Sequence, residues 1–402
     1  MPEYKLRPHQ KKAVEESPNK WCLWFRQRVG KTATALMLAE TRCKNCLVIS
    51  PKQIKPNWVT EIENWSKGAC KFTVISKEDM RLGKNLPANP DGIVVDEVHA
   101  AFGNYRSKSF KALDKYIKYT NCPHIWLLSG TPMTATNWSI YSYGKLLGKN
   151  WNWMLWQKTF NYPIKMGHRI IWQPRKDKNE ELQIILRRIG TVIDLKDVAD
   201  IPDDEDEFEY FTLNLEQKKA IKDSFDPMPI IRNVKQHEIE SGILLGDGYV
   251  DTVNMKSAKD SRILDLVNQA DKIVIIARYV GLLDRYEKLL EKCGKKIFKI
   301  SGKEKRTATE ISAEAELCES AVVLIQSDTV MGYSLKSFSL VVFASMSYSY
   351  VNYDQVRFRT KNMDKLTPCT YIHLLTEGKS IDKAVYDSVS NKQNFSIELY
   401  NK

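Results

Sequence analysis

Short, continuously apolar runs alternate with amphipathic stretches along this chain. Residues 21–25, 47–49, 92–95 and 125–128 are apolar on successive positions, which predicts strands covered on both faces, and Phe72-Thr73-Val74-Ile75-Ser76 reads as a further short strand. Between them, residues 32–39 and 58–65 place apolar side chains at helical spacing. A similar series follows later: apolar-rich strands expected at 272–278, 297–302, 321–328 and 340–344, with helices expected over 256–269 and 286–292. Buried strands alternating with helices predict right-handed, doubly wound parallel sheets. The 402 residues exceed one ordinary core and suit two such units of about 200 residues each. The expected class is therefore α/β.

Chemistry enters at the ends of these strands. Residues 24–32 read Trp-Phe-Arg-Gln-Arg-Val-Gly-Lys-Thr: a strand, a tight turn, then an alanine- and leucine-rich helix. In a loop of that layout, backbone N–H groups at the helix start surround phosphates, Lys31 reaches the β/γ oxygens and the Thr32 hydroxyl ligates Mg²⁺. The first glycine of G-x-x-x-x-G-K-[ST] is replaced here by Phe25. Strand 92–95 runs directly into Asp96-Glu97, which sets two carboxylates at the C-terminal edge of a parallel sheet, where ligands bind in open α/β folds. Asp96 can hold Mg²⁺ and Glu97 can polarise an attacking water. Strand 125–128 ends in the small turn Ser129-Gly130-Thr131-Pro132, able to approach both the γ-phosphate side and the acid pair. Gln10 opens the first helix and is either an adenine-reading amide or a solvated residue.

Charge adds a partner. A formal net charge of +12 points to a polyanion, with general solubility as the plainer reading. No run approaches the ~18 apolar residues of a membrane span, and residues 1–5 lack a signal-peptide core, so a cytoplasmic setting is expected. The eight cysteines fall mostly in apolar runs, as reduced buried thiols do. Cys43 and Cys46 have C-x-x-C spacing but no second pair to complete a zinc site, and read better as a helix end leading into a strand. Aromatic residues crowd residues 138–172, either as base-stacking platforms or, as the spacing of three favours, as packed helical core. The acidic run 203–207 reads as a solvated connector, and His237 as structural.

Taken together and in order, Leu-Arg-Pro-His-Gln at 6–10, Gly-Lys-Thr at 30–32, Ser-Pro-Lys at 50–52 followed by Asn57-Trp58 and Glu61-Ile62, Asp-Glu-Val-His at 96–99 and Ser-Gly-Thr-Pro at 129–132 resemble the first motor lobe of superfamily-two DNA helicases and translocases, within it the SWI/SNF-like group, and there the compact phage and bacterial type. Residues 186–190 and 197–202 resemble the group's crossing between lobes, Gly332 to Leu335 its fifth motif, Gln355 to Arg359 its sixth, and 378–385 its closing helix. Phe358 and Asn362 stand where the sixth motif usually has glycine and arginine.

The resemblance implies two tandem RecA-like lobes, an ATP-binding lobe over 1–199 and a C-terminal helicase lobe over 200–402. It implies ATP and Mg²⁺ as cofactors. Arg7, Gln10, Arg28, Val29, Gly30, Lys31, Thr32, Gly332 and Gln355 would contact nucleotide, and Thr32 and Asp96 the metal. Lys31, Asp96, Glu97 and Arg359 would be catalytic, with Arg357 or Lys361 as alternatives to Arg359. His99, Ser129, Gly130 and Thr131 would couple hydrolysis to movement, and Ser50, Lys52, Arg278 and Gly302 would touch DNA. The implied activity is ATP-driven translocation on single-stranded, forked or branched DNA by a monomer, in phage-type replication, recombination or repair. An RNA-directed ATPase and a non-hydrolysing nucleic-acid clamp are the alternatives.

Overall fold

The computed structural model describes residues 5–133, 137–166, 169–224, 226–246, 252–329, 332–361 and 367–391. The chain divides into two compact units, residues 1–200 and 201–402. Each is a RecA-like α/β unit built on a six-stranded, wholly parallel sheet flanked by helices.

In the first unit the strands are β1 (Lys20–Phe25), β2 (Asn45–Ser50), β3 (Lys71–Ser76), β4 (Gly92–Val95), β5 (His124–Leu128), a hairpin of β6 (Asn161–Met166) and β7 (Arg169–Pro174), and β8 (Gly190–Ile193). The sheet order is β3-β2-β4-β5-β1-β8. One strand, β5, therefore separates β1, which feeds the phosphate loop, from β4, which ends in Asp96-Glu97. That order sets the turn after β5 between them. Helix α1 (Pro8–Glu16) precedes β1 and α2 (Lys31–Arg42) follows the loop. Leu47, Ile49, Ile93, Val95 and Leu127 face Phe102, Phe110, Leu113 and Tyr143 in the main core.

The aromatic window divides. Tyr141, Tyr143, Trp156 and Phe160 are buried in that core, and Trp151 and Trp153 pack against it. Tyr162 and Trp172 instead lie on the β6–β7 hairpin, an element that the helical spacing did not predict.

The second unit contains β9 (Glu205–Phe211), β10 (Ile243–Leu245), β11 (Thr252–Asn254), β12 (Lys272–Ala277), β13 (Lys296–Ile300), β14 (Ala321–Gln326), β15 (Leu340–Phe343) and β16 (Thr370–Thr376). Its main sheet runs β13-β14-β12-β15-β16-β9. Val274 and Ile276 enter the core on one face, Ile273, Ile275 and Ala277 that on the other, which explains why the run reads as apolar throughout. The helix expected at 286–292 occupies Val280–Leu289, one turn or more earlier, because the chain turns back immediately after β12.

The acidic run is not a connector. Residues 205–207 begin β9, the edge strand paired in parallel with β16. Asp204 and Asp206 are held there by Lys361, Arg357 and His373, so ion pairing allows a charged sequence to join a sheet edge. Among the described residues no helix is long and apolar enough to cross a membrane.

Candidate active site

The phosphate loop is shaped by what α1 does to it. His9 Nε2 donates to the Val29 carbonyl at 3.0 Å, and Gln10 Nε2 donates to the Gly30 carbonyl at 3.2 Å. With those carbonyls tied back to α1, the loop can present the free N–H groups at the start of α2 to an anion. Gln10 is buried, and its other amide end accepts from the Arg7 N–H at 2.8 Å. Both ends of Gln10 are thus engaged, and in this arrangement the residue braces the loop. Gly30 has φ +87°, and a Cβ there would come within 2.2 Å of Gln10. Only glycine fits. Arg28 also takes a left-handed conformation, at φ 69°, which costs a side-chain-bearing residue about 1–2 kcal/mol.

Lys31 Nζ sits 3.3 Å from Glu97 Oε1. The neighbouring Asp96 is buried, accepts from Trp58 Nε1 at 2.9 Å and accepts the Glu97 N–H at 2.9 Å. Burial, and then the Glu97 charge, push the Asp96 carboxyl up to about 6. His99 Nδ1 lies 3.3 Å from Glu97 Oε2 and 2.8 Å from Ser129 Oγ. Burial lowers the His99 pKa, so the ring is neutral near pH 7. Ser129 Oγ in turn accepts the Thr131 N–H at 3.0 Å.

The chain of contacts then closes on the phosphate loop. Arg26 donates to the Gly130 carbonyl at 3.3 Å. The Gln27 amide packs so close to Gly130 that a Cβ there would be 2.8 Å from it. Lys31, Glu97, His99, Ser129, Gly130 and Gln27 thus form a closed circuit joining phosphate loop, acid pair and small turn. Two side chains on it leave hydrogen-bonding capacity unused: both ends of the buried Gln27 amide and the Thr131 hydroxyl have no partner among the described residues. Buried polar atoms of this kind are rare without a reason, and a bound polar ligand is one.

The other expected residues are distributed as follows. Thr32 is the second residue of α2 and partly exposed. Ser50 is fully buried with its hydroxyl on the Pro51 carbonyl, whereas Lys52 is exposed on the following short turn. In the second unit, the Arg278 guanidinium lies 3.8 Å from the Tyr348 ring centre and 3.5 Å from Asp328. Gly302 is exposed and donates its N–H to Gln326 at 3.2 Å. Gly332 has φ +83°. Gln355 is buried with neither amide end partnered among the described residues. Arg359 lies over the Tyr333 ring at 5.3 Å, while Arg357 grips Asp206 through two bonds of 2.9 and 2.8 Å and Lys361 pairs with Asp204. Arg357 and Lys361 are therefore engaged in holding β9, and Arg359 donates to the Tyr333 carbonyl at 3.4 Å. Asn362 lies outside the described residues.

Sequence reasoning missed His9, Arg26 and Gln27. Gln27 carried no signal, being a polar residue in a loop of polar residues. The cysteine pair packs around Gly92, with Cys43 and Cys46 sulfurs 2.6 and 3.3 Å from where its Cβ would be, and burial raises both thiols. Among the described residues no three His, Cys, Asp or Glu side chains are grouped to hold a metal ion.

No family model matches this sequence, and no curated protein matches it. Among solved structures, the chain is similar to the Sulfolobus solfataricus SWI2/SNF2 ATPase core in complex with dsDNA. The likeness covers 97% of this chain and 91% of that one, at 17% identity and a TM-score of 0.44.

Proposed function

We propose that this protein is a DNA-dependent ATPase that uses ATP hydrolysis to translocate on DNA and remodel forked or branched duplexes. The observation that carries the reading is the closed circuit from Lys31 through Glu97, His99 and Ser129 back to the phosphate loop. Bound ATP·Mg²⁺ would supply the phosphoanhydride and the charge-neutralising cation. The N–H groups of Gly30, Lys31 and Thr32 and the Lys31 ammonium would hold its phosphates, and Thr32 and Asp96 its metal. Without phosphate, Lys31 neutralises Glu97; drawn onto phosphate oxygens, it would release that carboxylate to orient and deprotonate water. His99 and Ser129 would report the change to the Ser129–Thr131 turn. Arg359 is the proposed transition-state cation. Lys52, Arg278 and the Gly302 turn are the proposed DNA contacts, gripping backbone rather than reading bases.

The test is Mg²⁺-ATP hydrolysis without nucleic acid and with single-stranded DNA, duplex, a four-way junction and RNA. DNA should stimulate turnover most, and Lys31→Ala and Glu97→Gln should each lower it by about 10²-fold or more. Stimulation by RNA alone would replace DNA as the track. Tight DNA binding without hydrolysis would mean a clamp instead of a motor.

A further inference from the structure

Between the helices Trp153–Phe160 and Asn179–Ile189 the chain leaves the first unit's core as the β6–β7 hairpin, a two-stranded sheet paired with no other strand among the described residues. Its root is firmly fixed. The Arg175 N–H donates to the Phe160 carbonyl at 2.9 Å, and Asn137 Nδ2 donates to that same carbonyl at 2.8 Å. Asn161 donates to Asn137 at 3.2 Å in a buried amide pair.

Beyond the root the ribbon faces water. Tyr162 is 45% exposed and Ile170 63%, and Lys165 is exposed as well. An isolated two-stranded ribbon is marginal in water, and exposed apolar side chains do nothing to stabilise it. Charge indicates what the ribbon meets. Residues 161–176 contain Lys165, Arg169, Arg175 and Lys176 and not one acid. At the root a shallow groove of about 610 Å³ is lined by Tyr162, Pro174, Arg175, Lys176 and Asp177. Arg175 is paired with Asp177 at 3.0 Å. Lys165 and Lys176 make no ion pair among the described residues.

We propose that the β6–β7 hairpin is a contact surface for single-stranded nucleic acid. Lys176, which lines the groove with Tyr162, takes a backbone phosphate, and the Tyr162 ring, aligned by its hydroxyl bond to Gln173 at 3.3 Å, offers a stacking face to a base. Cations beside an exposed aromatic are the combination that sequence-tolerant strand binding uses, and a duplex, with its bases already stacked, cannot use the ring. The proposal rests on the reading of this chain as a motor on DNA and adds a grip outside the nucleotide site.

Binding of a fluorescein-labelled oligothymidylate strand, followed by anisotropy across a salt series, tests it directly without depending on hydrolysis. Tyr162→Ala should weaken binding about 5-fold or more. Lys176→Gln should lower the slope of log affinity against log salt by about 0.7, one phosphate contact's worth. Hydrolysis in the absence of DNA should be unchanged in both variants. Wild-type binding matched in affinity and slope by both variants would overturn the hairpin proposal and leave the motor reading standing. No wild-type binding to any strand would overturn both. A self-associated protein that becomes monomeric on Ile170→Lys, with strand binding intact, would assign the ribbon to a second copy and overturn the proposal.

Discussion

Both units gather charged and polar side chains at the C-terminal ends of their parallel strands, but they satisfy them differently. In the second unit, Asp382 is wholly buried and accepts from Lys259 at 2.6 Å, Thr376 at 2.9 Å and His237 at 3.1 Å. The opposite nitrogen of His237 meets the hydroxyls of Tyr348 and Tyr279, each at 2.9 Å. Glu240 accepts the N–H groups of Ile381 and Asp382. Every strong group in that knot has an answer inside the protein. In the first unit the circuit through Lys31 and Glu97 is equally connected, yet it ends in a Gln27 amide and a Thr131 hydroxyl with no partner among the described residues. A charge cluster at a sheet edge is thus not by itself a site. Among the described residues, unused hydrogen-bonding capacity separates the Lys31–Glu97 circuit from the knot, whose groups are spent holding three helices to a sheet.

The sharpest way to break this contrast is Asp382→Asn. It would leave Lys259, 1% exposed, as an uncompensated buried charge, and the expected loss is about 3–5 kcal/mol in urea unfolding. Burial opposes ionisation of Asp382, but Lys259 and His237 overcome it and hold its carboxyl below the usual range. Its stabilising effect is therefore full above the unfolded pKa near 3.9 and is lost as pH falls through the lower folded value; the variant should lack that acid-limb loss. A change as mild as a surface substitution would show that the knot is not what secures the second unit.

A smaller effect is expected at the first unit's closing contact. Gly130→Ala should cost about 1–3 kcal/mol, since its Cβ would lie 2.8 Å from the Gln27 amide, and Gln27→Ala in the same chain should recover most of that. Additive effects in the double-mutant cycle would separate the phosphate loop from the small turn. The smallest change expected is Arg28→Gly, which removes left-handed strain and should stabilise by about 1 kcal/mol in thermal melts. If hydrolysis falls at the same time, the strain is retained for the guanidinium; unchanged hydrolysis would leave Arg28 with no role at the nucleotide.

The division between what could be read and what could not follows the distance over which a contact acts. Apolar-rich runs marked β1 to β5 and β12 to β15, because a strand covered on both faces has few polar positions, whereas β8, β9 and β16 were not read as strands. Gly30-Lys31-Thr32 and Asp96-Glu97 were legible because a strand, a turn and a helix start place those groups within a few residues of one another. The β6–β7 ribbon was not legible: its aromatics continue a window whose other members do form helical core. The acidic run was misread for a related reason, since its partners Arg357, Lys361 and His373 stand about 150 residues further along.

By itself, the sequence determined two α/β units, the strand–turn–helix carrying Gly30-Lys31-Thr32, the Asp96-Glu97 pair at a strand end and a positive net charge, all written in local pattern and composition. Only the tertiary structure decided that Gln10 braces the loop, that Gln27 closes on Gly130 from far along the chain, and that Arg357 and Lys361 anchor an edge strand. Sheet order brings those residues together, and sheet order arises from strands choosing neighbours in space, which hydrophobic periodicity along the chain does not encode.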